Sequence, residues 1–205
     1  MRKALLIKTA VAIAALGVFA VLFMRSVDDT RSAPYTVERG QLQPWTLALE
    51  PASAPNDPLL VLRPSPDLAA GLFKQIFSRA MESLNSPTAP SIPVVLRGEY
   101  DRVVGDQLSQ QAMLETARTG GLEARAPSPR CLVHRRISEP GGVRQAFLVY
   151  FDAPAIAEFR RHMGLDIDIL SPIMFVAGAG ADFNSWLPQR IDADADCLAP
   201  VEIGR

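Results

Sequence analysis

Cys131-Leu-Val-His-Arg-Arg-Ile-Ser138 and Val143-Arg-Gln-Ala-Phe-Leu-Val-Tyr-Phe151 flank the tetrapeptide Glu139-Pro-Gly-Gly142. Branched and aromatic residues dominate both runs, which favours extended backbone. A four-residue link rich in proline and glycine favours a tight reversal. The stretch therefore predicts a β-hairpin. The alternation Val133, Arg135, Ile137 permits a sheet with one wet side.

The pattern extends outward from the hairpin. On its C-terminal side, Asp152 can cap a short helix from Ala153 to Met163, with Pro154 in the first turn and Gly164 at the end. An apolar strand, Ile173 to Ala177, and a turn at Gly178-Ala-Gly180 follow. On its N-terminal side, Leu68, Leu72, Ile76, Ala80 and Leu84 recur every fourth residue, the spacing of a helix stripe that opens at Pro66-Asp67 and stops at Asn85-Ser86-Pro87. A second helix is expected from Asp106 to Arg118, closed by Gly120-Gly121. Strands are expected at Trp45 to Leu49, Leu59 to Leu62 and Val94 to Tyr100. This order predicts an α+β domain with a mixed or antiparallel sheet and about three helices.

The chain begins differently. Ala4 to Met24 reads ALLIKTAVAIAALGVFAVLFM, with Lys8 as its one charge. About 20 apolar residues in a helix match the hydrocarbon core of a bilayer. Arg2, Lys3 and Lys8 lie on one side, while Arg25 and Arg31 are mixed with Asp28 and Asp29 on the other. The positive-inside rule then puts the N-terminus in the cytoplasm. The run ends in Leu22-Phe23-Met24-Arg25, a poor cleavage site, so the segment is read as a retained anchor rather than a signal peptide. The expected organisation is a cytoplasmic N-terminus and transmembrane anchor (1–24), a linker (25–34) and one extracytoplasmic domain (35–205). The lipid bilayer is the expected partner of residues 4–24.

Composition narrows the function classes. Without Arg2, Lys3, Lys8 and Arg25, the 21 basic residues fall to 17 against 22 acidic ones, so the outer part is near −5. Nothing in that balance suggests the basic face a nucleic acid requires, and no nucleic-acid partner is expected. Arginine far outnumbers lysine, and with the many alanines this suits a high-GC bacterial genome, hence a periplasmic domain on an inner membrane. In that oxidising compartment Cys131 and Cys197 are expected to pair. Cys-x-x-Cys metal spacing is absent, and neither a metal nor a cofactor is expected.

Catalytic residues are not identifiable. His134 and His162 are the two histidines; the first lies in a predicted strand and the second on a predicted polar helix face. Arg135, Arg136 and Arg144 could gather across the hairpin, making His134, Arg135 and Arg136 the candidate ligand-binding residues, for an anionic group or a partner's carboxylates. Glu99, Asp101 and Asp106 are carboxylates that could orient His134. Gly178-Ala-Gly180 could approach a phosphate, but the sequence around it reads better as a turn. Asp192-Ala-Asp194-Ala-Asp196 opens like a calcium loop, yet Cys197 stands where glycine is needed and Ile203 where glutamate is needed.

Thr36-Val-Glu-Arg-Gly-Gln-Leu42 resembles the first strand after the anchor in HlyD-type membrane-fusion adaptors. The resemblance spans seven residues. The heptads and the second half-motif of those proteins are absent, so it implies no shared function. The sequence leads to a non-catalytic accessory or assembly subunit of a cell-envelope complex, with a membrane or periplasmic protein partner. The alternative is an anchored enzyme or ligand-binding protein with its site near residues 131–151.

Overall fold

The computed structural model of the chain describes residues 2–80, 82–139, 142–179, 187 and 190–204; within α1, side chains are described at residues 13–26 and 29–30. The chain divides into two compact units, Met1–Ala33 and Pro34–Arg205.

The first unit is one helix, α1 (Arg2–Ser32). From Ile13 to Met24 each large apolar side chain is more than half exposed, and Phe19 and Phe23 lie one turn apart with ring centroids at 6.4 Å. Among the described residues no helix is long and apolar enough to cross a membrane. Of the run Ala4–Met24, the side chains of residues 4–12 are not among those described.

The second unit is a mixed α+β domain with two sheets rather than one. A five-stranded sheet has the order β1-β8-β5-β6-β7: β1 (Tyr35–Glu38), β8 (Cys197–Gly204), β5 (Ser128–Glu139), β6 (Gly142–Asp152) and β7 (Ile173–Ala179). Its pairings are antiparallel except β1 with β8, which is parallel. A three-stranded antiparallel sheet joins β2 (Thr46–Leu49), β3 (Pro58–Arg63) and β4 (Ile92–Leu96). Helices α2 (Pro66–Ala80), α4 (Gln110–Thr119) and α5 (Pro154–His162) accompany the sheets, with short turns α3 (Arg97–Glu99) and α6 (Ala193–Asp196).

Strand alternation explains the packing. Leu132, Phe147, Val149, Phe151 and Val201 turn one face of the five-stranded sheet toward the main core, with Leu72 and Ile76 of α2 and Leu60 and Leu62 of β3. Val133, Ala146, Leu148, Ile173 and Phe175 turn the other face toward a second core with Leu96, Leu170 and Ile191. The expected wet face is therefore confined to the outer part of the hairpin. Burial on both sides is why β6 reads as a continuous apolar run.

Several sequence expectations need correction. Val94 to Tyr100 is not one strand: β4 ends at Leu96 and the chain turns helically through Tyr100–Val104. Gly98 makes the turn, since a Cβ there would lie 3.0 Å from the Pro55 carbonyl oxygen. The helix expected from Asp106 starts at Gln110, because the Ser109 hydroxyl accepts from the Ala112 amide and caps it. Asp152 belongs to β6, and α5 starts after Ala153 without a side-chain cap. Gly178 is not a turn but part of β7. The hairpin residues 140–141 and the turn residue Gly180 lie outside the described residues.

Each of the four edge strands carries a group bonded to its backbone. On β1 the Gln75 side chain accepts from the Thr36 amide (3.0 Å) and donates to its carbonyl (2.8 Å), as a neighbouring strand would. On β2 the Leu47 amide donates to Glu123 (2.7 Å). On β7 the Gly178 backbone exchanges two bonds with Asn85 (2.8 and 2.9 Å). On β4 Arg160 donates to the Val94 carbonyl (2.8 Å) and Glu99 accepts from the Leu96 amide (3.0 Å). Such cover removes the template for edge-to-edge aggregation.

Candidate functional site at the base of the hairpin

β8 pairs with β5 only as far as Val133, and β7 pairs with β6 only back to Gln145. Beyond those points, among the described residues, the hairpin runs on as a two-stranded ribbon with Ile137 opposite Arg144 and Ser138 opposite Val143. His134 stands where the ribbon leaves the sheet. Its ring stacks on Phe147 across the strand pair, with centroids 4.3 Å apart and planes 5° from parallel.

Gln145, buried to 5% exposure, lies beside it. The Gln145 amide nitrogen donates to a Glu82 carboxylate oxygen, and Gln145 Oε1 lies 3.2 Å from His134 Nε2. A carboxylate only accepts, so Glu82 fixes which end of the amide faces it. The amide oxygen is left facing the imidazole Nε2. Glu82, Gln145 and His134 form a polar line from the end of α2 to the hairpin. Glu99 and Asp101 serve elsewhere, Glu99 with Arg160 and Asp101 with Arg97 (2.8 Å). Asp106 is exposed.

The arginines do not gather as one patch. Arg135 and Arg136 point to opposite faces by strand alternation. Arg135 donates to Asp196 at 2.6 Å and Arg130 to Asp194 at 3.1 Å. Arg136 is exposed. The acidic triplet is thus a connector: Asp192 caps α6 by accepting from the Asp194 amide, while Asp194 and Asp196 hold β5. Among the described residues no group of three or more histidine, cysteine or acidic side chains could hold a metal. Just behind the ion pairs, the Cys131–Cys197 disulfide ties β5 to the start of β8, with Cα atoms 5.7 Å apart.

Gly178, singled out for its glycines, serves packing. A Cβ there would lie 2.7 Å from Phe175 and 2.8 Å from the Gln145 carbonyl, so only glycine lets β6, β7 and Asn85 approach. His162 is exposed at the end of α5, in a groove of about 570 Å³ with Val104, Gln107, Thr116 and Met163. A cleft of about 320 Å³ with proline walls, including Pro51, Pro58, Pro87 and Pro90, lies between two loops. Sequence reading missed Gln145 and Glu82. No motif marks either one; only the cross-strand register brings Gln145 to His134.

The comparisons with known proteins add no family: no family model, no curated protein and no solved structure matches the chain.

Proposed function

We propose that this chain is a single-pass bacterial inner-membrane protein, N-terminus in the cytoplasm. Its periplasmic domain acts as a non-catalytic accessory or assembly subunit of a cell-envelope complex. The observation that carries the reading is the exposed apolar surface of α1 from Ile13 to Met24, which points in every direction around the helix. Such a surface is unstable in water and stable in lipid. The Cys131–Cys197 disulfide supports an oxidising compartment. The polar groups also support a structural role: Glu99, Asp194, Asp196 and Arg160 hold strands and helices together.

In-cell crosslinking of a C-terminally tagged chain, followed by purification from detergent-solubilised membranes, tests the subunit role. One partner recovered in near-stoichiometric yield is the expected result. A protein recovered alone contradicts it and favours the second reading. That reading is a ligand-binding or catalytic site at the hairpin, for which the Glu82–Gln145–His134 line is the specific observation.

A further inference from the structure

We propose that the outward face of α2 docks on the bilayer that holds the chain's own anchor, with Phe77 in the interfacial layer and Lys74 against anionic headgroups. The inference rests on the anchor reading above and adds a second membrane contact, made by the folded domain.

The helix divides cleanly. Leu68, Leu72, Ile76 and Ala80 are buried, whereas Ala70, Lys74 and Phe77 are exposed and Phe73 is half-buried. Positions 70, 73, 74 and 77 follow helical spacing and share one stripe. Phe77 is 50% exposed, and among the described residues of this unit it is the one aromatic among the large apolar side chains left exposed. Its ring packs on Phe73 with centroids 5.8 Å apart, so a paired aromatic surface faces outward. Lys74 is the domain's single lysine. Aromatic rings and a neighbouring cation are the chemistry of a membrane interface. A basic side chain is attracted to an anionic lipid surface.

The position of α2 identifies the occupant. Arg79 donates to the Pro34 carbonyl (3.0 Å) and lies over the Tyr35 ring, 4.1 Å from its centroid. Gln75 grips Thr36 from the same helix. The C-terminal half of α2 is therefore fixed to the first residues of the domain. Met24 ends the apolar run, and the chain from there to Pro34 spans at most roughly 35 Å even when extended. A tether of that length keeps the stripe at high effective concentration over one surface, the membrane, so a weak contact suffices. The remaining surface is acidic overall and is repelled by anionic lipid.

The test uses the full-length chain in vesicles of phosphatidylcholine and phosphatidylglycerol, with plain or brominated acyl chains. The reporter is Phe77→Trp. The unaltered chain, which has Trp45 and Trp186, supplies the baseline. Ile169→Trp, exposed ahead of β7, is the comparison position. Alkaline carbonate extraction of the same vesicles reports on the anchor. The expected result is a protein retained after extraction, with roughly twofold quenching of the signal added at position 77 and none at 169. Retention with equal signals at both positions overturns the docking and leaves the anchor standing. Release by carbonate overturns both.

Discussion

Arg160→Ala is expected to destabilise the domain by about 3–5 kcal/mol, the cost of breaking a buried ion pair by removing one partner. The side chains of Arg160 and Glu99 are 1% and 5% exposed. They meet through two bonds, Nη2 to Oε1 at 2.6 Å and Nη1 to Oε2 at 3.0 Å. The guanidinium also donates to the carbonyls of Val94 and Asp166. Alanine would leave a buried carboxylate without its charge partner, two carbonyls short of a donor and a cavity the size of the largest fully buried side chain in the domain. The pair also covers the edge of β4, so aggregation on heating is expected as well. Urea unfolding of the full chain in detergent measures the loss. The double variant Glu99→Leu/Arg160→Met should recover much of it, because apolar residues of similar volume can replace a buried pair at little cost. A single variant within about 1 kcal/mol of the parent would show that the pair is not structural.

Reduction of the Cys131–Cys197 disulfide has the second largest expected effect, about 4 kcal/mol. The bridge closes a separation of 66 residues, and the entropy model gives that figure for a loop of such length. The location adds to the effect. β8 sits inside the five-stranded sheet, and its first half contacts β5 while its second half carries β1. Freeing Cys197 loosens the strand on which β1 depends. The Cys131→Ser/Cys197→Ser variant should therefore show a lower urea midpoint, with protease cleavage near residues 190–204 appearing first. Equal midpoints for oxidised and reduced chain would contradict this.

The sequence was most readable where one physical signal dominated. The fourfold spacing from Leu68 to Ala80 marked α2 because a single stripe faces the core, and the hairpin showed through its two apolar runs and its turn residues. The strand β8 was not legible, and β1 showed only through the short resemblance at Thr36–Leu42. β8 contains Pro200 and follows an acidic triplet, neither of which marks a strand. The structure explains the tolerance: β5 pairs with residues as far as Pro200, β1 pairs from Val201 onward, and the proline sits at the changeover. Leu84 kept the helical spacing beyond the end of α2 because it is buried from a non-helical segment. At the hairpin, His134 and Arg135 could be named from sequence, but their partners Gln145, Glu82 and Asp196 are set by register and by the turn at α6. Long-range pairing of this kind leaves no local pattern.

We propose a single-span protein with its folded domain outside the cytoplasm. A topology reporter at the C-terminus tests it most directly. Alkaline phosphatase fused after Arg205 folds into an active enzyme only outside the cytoplasm, and β-galactosidase fused at the same point is active only inside. The account predicts an active phosphatase fusion, an inactive β-galactosidase fusion, and a phosphatase product that stays in the membrane fraction. An active β-galactosidase fusion with an inactive phosphatase fusion would contradict it.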